Sequence, residues 1–175
     1  FGYMVGDFVR DKDAVTATLL ACEVAAYAKQ HGSSFYKELL DIYKTHRFYK
    51  EHLISITKKG MDGAAEIQQM LSNMRNNPLT VIDGEKIEYL TDYQASTRKN
   101  LITGKVTNID LPASNVLIYQ TESGTRIAAR PSGTEPKIKF YFSVNTNFDD
   151  DKNATDTENQ LDSKIQRIIK EMKLN

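Results

Sequence analysis

From Lys137 to Val144 the sequence KIKFYFSV alternates strictly, with Ile138, Phe140, Phe142 and Val144 on one side and Lys137, Lys139, Tyr141 and Ser143 on the other. A period of two puts these four apolar side chains on one face of an extended strand and spreads them around a helix. A strand of this kind cannot stand alone, because its backbone groups and its apolar face both need partners. The chain must therefore build a sheet. Two further segments can supply it, 115–121 (NVLIYQT) and 124–130 (GTRIAAR), joined through the turn residues Glu122-Ser123-Gly124 as a hairpin. His52-Leu53-Ile54-Ser55-Ile56-Thr57 alternates too, and shorter strands are expected at 86–93 and 96–101.

Between and around these strands the period changes. Residues 13–31 contain no Gly or Pro, open on Asp13 as a cap and are followed by Gly32, which predicts a helix. Apolar residues surround nearly its whole circumference, so it is expected to be buried between layers, with Cys22 a buried, inert thiol. A second helix is expected over 34–46, with Phe35, Leu39, Ile42 and Tyr43 on one face. A third covers 61–75 through Ala64, Ile67, Met70, Leu71 and Met74, and Asn76-Asn77-Pro78 ends it. The last, over 155–173, aligns Leu161, Ile165, Ile168, Ile169 and Met172. The six acids and one lysine of 149–162 read as a solvated loop running into that helix, since they lack the glycine and ligand spacing of a calcium loop. The element order predicts an α+β class: residues 48–175 form a small antiparallel sheet covered by helices, and residues 1–47 form a helical tail of a preceding α/β domain.

Charge narrows the function classes. The 175 residues hold 23 basic and 23 acidic side chains, a net charge of zero. A general nucleic-acid binder or anionic-membrane binder would need a basic surplus, so neither is expected as a partner. No run approaches the ~18 apolar residues of a membrane helix. The single cysteine excludes an intrachain disulfide and a cysteine-based zinc site, and fits a reducing cytoplasm. His31, His46 and His52 have no spacing that suggests a base or a metal site, and read as surface or boundary residues. The chain opens on Phe1, which suggests a piece of a longer protein.

One segment carries chemistry, Arg130-Pro131-Ser132-Gly133-Thr134-Glu135-Pro136. Two prolines stiffen it, which lowers the entropy lost on binding. Ser132, Gly133 and Thr134 offer backbone N–H groups and two hydroxyls in a short arc, and Gly133 lets a ligand approach the backbone closely. Arg130 brings a planar guanidinium that suits a phosphate. Residues 123–144 hold four basic side chains and one acid, a local +3 inside a neutral chain. By chemistry alone the segment reads equally as a phosphate cradle or as a tight proline turn with a solvated rim.

RPSGTEPKIKFYF resembles the phosphate-binding loop of the C-terminal domain of the phosphohexomutases, the phosphoglucomutase and phosphomannomutase family. FGYMVGDFVRDKDAV resembles the stretch after that family's sugar-specificity loop, with Phe1-Gly2 at the end of a Glu-Glu-Ser-Phe-Gly-like motif. The resemblance covers both ends of the chain in the right order, and the middle, roughly 60–120, matches in pattern only. It implies a four-domain intramolecular phosphotransferase that interconverts hexose 1-phosphate and 6-phosphate through a bisphosphate. In such an enzyme a serine in the first domain donates the phosphoryl group, a loop in the second holds Mg²⁺, and the third reads the sugar. The fourth grips the substrate phosphate. Carried over by position, Arg130, Ser132, Gly133 and Thr134 match that clamp, and Lys139 stands where some members place a second basic residue. Lys12 reads as a helix-entry lysine or as a border of the sugar site. The donor serine, the metal loop and a complete sugar loop are missing, so the chain by itself is expected to catalyse nothing and to bind neither Mg²⁺ nor the hexose bisphosphate of the full-length parent. Its partners would be a hexose phosphate and the upstream domains of the same chain. The rival readings are an amino-sugar phosphate mutase and a noncatalytic α+β binding module.

Overall fold

The structure is a computed structural model that describes residues 3–58, 62–149 and 153–174. The chain divides into two compact units, Phe1–Arg47 with Phe148–Asp151, and Phe48–Asn147 with Lys152–Asn175.

In the first unit, α1 (Ala14–Gln30) is capped by Asp13, whose carboxylate accepts from the N–H groups of Val15 at 2.9 Å and Thr16 at 3.4 Å. It stops at Gly32, whose φ of +68° is a left-handed conformation that glycine adopts without a Cβ penalty. Helix α2 (Phe35–His46) is capped by Ser34 and packs against α1. The expected burial does not hold here. Of α1 only Ala28 is buried, and Cys22 is exposed. On α2, Leu40 is buried, while Phe35, Leu39 and Ile42 of the expected apolar face are exposed. The reason is geometric: each helix has one helical neighbour among the described residues, and one neighbour covers one stripe of a cylinder.

The second unit is the sheet. Eight antiparallel strands are described: β1 (Phe48–Thr57), β2 (Val81–Ile82), β3 (Glu85–Asp92), β4 (Thr97–Asn100), β5 (Val106–Asn108), β6 (Leu117–Thr121), β7 (Arg126–Pro131) and β8 (Lys137–Thr146). Their spatial order is β1-β8-β7-β6-β3-β4-β5, with β2 pairing with β3 off that path. The patterned segment therefore lies inside the sheet, paired on both sides. Sequence alternation does not predict β2 or β5, because two or three residues carry too little period to read. Strand β1 starts at Phe48, earlier than its apolar pattern, because Phe48 to Glu51 are held in register by Thr146 to Ser143 of β8.

Helices α3 (Gly63–Asn76) and α4 (Ala154–Glu171) pack on the face that carries Ile138, Phe140, Phe142 and Val144, each no more than 1% exposed. Ile67 and Leu71 of α3 and Leu161, Ile165, Ile168 and Ile169 of α4 meet them there, while Ala64 turns outward and Gly63 is buried instead. A Cβ on Gly63 would sit 2.5 Å from the Lys58 carbonyl oxygen, so this helix start admits no side chain. Tyr119 spans the layers, donating its hydroxyl to the Met74 carbonyl at 2.7 Å, and burial pushes its phenol up to about 12. The α3 side chain of Arg75 pairs with Asp92 of β3 at 3.0 Å. At the sheet edge, Lys50 of β1 pairs with Glu158 of α4 at 2.5 Å and with Asp162 at 3.4 Å, so part of the acidic segment has a structural task.

The β6–β7 turn also holds a polar network. Gly124, at φ +92°, closes the turn through Thr121 and Thr125. Ser123 donates to the Glu85 carboxylate at 2.5 Å, and the Lys164 ammonium of α4 donates to its other oxygen at 2.5 Å. Burial raises the Glu85 pKa, but hydrogen bonds from Lys164, Ser123 and Thr121 outweigh it and leave the carboxyl below its ordinary value. A depressed folded-state pKa gives stability that is present above the unfolded carboxylate value, about 4.3, and lost as pH falls through the lower folded value. Glu85→Gln should cost about 1–3 kcal/mol at neutral pH and flatten that acid limb of the stability curve. Urea unfolding of both forms between neutral and acid pH checks this, and parallel acid limbs would refute it.

Candidate anion-binding site

The loop Ser132–Pro136 joins β7 to β8, and its shape follows from its own side chains. The Ser132 N–H donates to the Lys137 carbonyl at 2.8 Å and the Lys137 N–H to the Glu135 carbonyl at 2.7 Å. The Ser132 hydroxyl oxygen accepts from the N–H groups of Thr134 at 3.4 Å and Glu135 at 3.3 Å. From the neighbouring strand, the Lys58 N–H donates to the Pro136 carbonyl at 2.9 Å. The Ser132 O–H and the Gly133 N–H are left without a partner among the described residues.

Strand register brings the cations together. Arg130 and Lys139 are directly opposite one another on β7 and β8, on the sheet face away from α3 and α4. Neither makes a hydrogen bond or ion pair with another described residue. Like charges placed opposite one another repel, so the pair is destabilising unless an anion lies between them. Lys137 shares the face but is paired with Glu135. Its hydrogen bond and charge, with the charge of Lys139, hold the Glu135 carboxyl below the usual carboxylate range, so Glu135 is ionised at neutral pH.

A concavity of about 270 Å³ opens at this point, lined by Arg130, Pro131, Ser132, Gly133, Lys137, Lys139 and Tyr141. Of the residues read from the loop, Arg130, Ser132, Gly133 and Lys139 line it together. Thr134 does not, and its N–H is spent on Ser132. Tyr141 does, although loop-centred sequence reasoning passes over it. Its place in the alternation after Lys137 and Lys139 was the available signal. Gly133 has no positive φ, and a Cβ there would meet nothing within 4 Å, so open space and not backbone strain surrounds it. Arginine, ammonium, hydroxyl and amide donors converging on one concavity form a set that fits an oxyanion.

The other sequence candidates lie elsewhere. Lys12 pairs with its neighbour Asp11 at 2.6 Å. The His31 ring stacks on Tyr27 with centroids 4.1 Å apart, and His46 and His52 are exposed. Among the described residues no three His, Cys, Asp or Glu side chains gather as a metal site, and no helix is long and apolar enough to cross a membrane.

Comparison with known proteins bears on the chain as a whole. No family model matches the chain. Over 151 residues, 86% of its length, it is 38% identical to phosphoglucomutases of Staphylococcus aureus strains MRSA252 and USA300, and 37% identical to that of strain N315. It spans 27% of the length of each of these relatives. Among solved structures, the open form of the Paramecium exocytosis-sensitive phosphoprotein pp63/parafusin, a phosphoglucomutase, superposes with a TM-score of 0.53 at 16% identity. That alignment covers 93% of this chain and 28% of the other, and supports the fold. With the loop sequence, the antiparallel α+β unit and the identity over most of its length taken together, the chain is similar to a part of the phosphoglucomutases, in keeping with the phosphohexomutase family that its motifs resemble.

Proposed function

We propose that residues 48–175 are the C-terminal, phosphate-gripping domain of a cytoplasmic phosphohexomutase, and residues 1–47 the helical tail of its sugar-reading domain. The whole enzyme interconverts hexose 1-phosphate and 6-phosphate through a hexose bisphosphate that turns round between two phosphoryl transfers. This part of the chain holds the phosphate that is not being transferred. The observation that carries the reading is the Arg130–Lys139 pair, two cations that make no ion pair or hydrogen bond among the described residues, beside the loop's unused amide and hydroxyl donors.

Such a clamp supports catalysis without touching the reacting atoms. Phosphoryl transfer depends on alignment and charge stabilisation, so binding energy from a remote phosphate can fix the reacting end in place. Arg130 would take two phosphate oxygens with its fork, Lys139 would supply a point charge, and Gly133 N–H and Ser132 O–H would complete the ring of donors. The described residues offer no donor set that fits the family's Mg²⁺, so no step at this site is assigned to a metal. The ion and the phosphoryl-donor serine would belong to upstream domains.

Titration of isotope-labelled chain with glucose 1-phosphate tests the reading. Amide shifts should concentrate on Arg130, Ser132, Gly133 and Lys139 at up to about 10 mM ligand, which suits a Kd near 1 mM. Glucose alone should leave them in place. Shifts absent from the loop, or equal with glucose, would overturn the clamp.

A further inference from the structure

The face that carries the two cations also carries an apolar row beside them. Leu53 of β1, Tyr141 of β8, Ala128 of β7 and Ile118 of β6 are successive cross-strand partners. Leu53 is 49% exposed and Tyr141 40% exposed, a large apolar ledge in contact with water. Tyr141 stands two residues beyond Lys139 on the same strand, a step of about 6.6 Å, and lines the same concavity. Its hydroxyl makes no hydrogen bond with another described residue. The concavity is thus cationic and hydrogen-bonding at one end and aromatic at the other. Inorganic phosphate would use the first end only. A phosphate ester with a carbon body would use both.

Resting on the clamp reading, we infer that Tyr141 is a specificity residue that seats the sugar ring of a bound hexose phosphate while Arg130 and Lys139 hold its phosphate. The step from Lys139 to Tyr141 is of the order of the distance between the phosphate and the ring of a sugar phosphate. A pyranose presents weakly positive C–H groups on one face, which suit the negative face of a tyrosine ring. Its rim hydroxyls can accept from the phenol O–H. Charge complementarity at the Arg130 end fixes which end of the ligand lies where. A mixed lining of this kind, apolar wall with a few convergent polar groups, is the usual form of a small-ligand site.

The test compares glucose 1-phosphate, glucose 6-phosphate and inorganic phosphate on the 175-residue chain by the same titration. The natural chain should bind the esters about 3- to 10-fold more tightly than inorganic phosphate. Tyr141→Ser should bring the three within about twofold of one another by weakening the esters, whereas Tyr141→Phe should keep most of the preference. Arg130→Ala should weaken all three. Equal affinities in the natural chain, or an undiminished preference in Tyr141→Ser, would overturn the role of Tyr141 and leave the clamp standing. Anion binding that ignores Arg130→Ala would overturn the clamp and this inference with it.

Discussion

Arg130→Ala should lower kcat/KM of the full-length enzyme about 10- to 150-fold in both directions of the reaction. The guanidinium stands opposite Lys139 and makes no ion pair among the described residues, so its proposed contact with a phosphate would be charge-assisted and worth about 1.5–3 kcal/mol. At about 1.4 kcal/mol per decade this gives the stated range. On the proposed clamp reading both directions should suffer, because a bisphosphate that turns round would present each of its phosphates to the clamp in alternate halves of the cycle. Phosphorylation of the donor serine from a compound that does not use the loop should continue. Arg130→Lys should recover part of the loss, since the charge returns without the fork. Ser132→Ala should cost less, about 0.5–1.5 kcal/mol, and act through the loop as much as the ligand, because Ser132 holds the N–H groups of Thr134 and Glu135. Initial rates in both directions decide the matter. Unchanged kcat/KM each way in Arg130→Ala would leave the loop a rigid turn.

Phe140→Ala should destabilise the sheet unit by about 3–5 kcal/mol, the usual cost of removing a fully buried phenylalanine. Phe140 is 0% exposed and lies at the centre of β8, opposite Ile54 on one side and Ala129 on the other. Alanine at its β7 partner leaves little side chain that could collapse into the space. Against a total stability of about 5–15 kcal/mol the loss is large, and the melting temperature should fall by about 10–20 °C. Tyr141→Ser, one residue along the same strand but facing water, should barely move it. Thermal unfolding of the two variants side by side checks the contrast. Equal shifts would mean that the two faces of β8 are not distinguished as the structure has them.

That contrast shows what local pattern can specify. The alternation in 137–144 placed Ile138, Phe140, Phe142 and Val144 on a buried face and Lys137 and Lys139 opposite, because side-chain direction in a strand has period two whatever the strand packs against. Asp13 and Gly32 marked the ends of α1 for a similar reason, since capping acts within a few residues. The β6–β7 turn was legible in Glu122-Ser123-Gly124 because Gly124 must hold a φ of +92°. The residue types from Arg130 to Pro136 could be read from the chain too, whereas which of them line the concavity could not.

Registers and neighbours were decided by tertiary structure. Nothing in the spacing of Arg130 and Lys139 says that they stand directly opposite, because that depends on where the loop closes, through Ser132 and Lys137. The same register carries Tyr141 to the concavity, whose lining does not include Thr134. Burial of α1 was misread from composition, since an apolar circumference states what a helix can bury, and the neighbours present decide what it does bury. Glu85 and Lys164 are 79 residues apart, and their ion pair exists only because α4 lies across the sheet. The chain alone determined which side chains share a face of each element, for that is set by backbone geometry within a few residues. Which faces meet was decided by packing between distant segments, where the burial of apolar area is shared among all the elements at once.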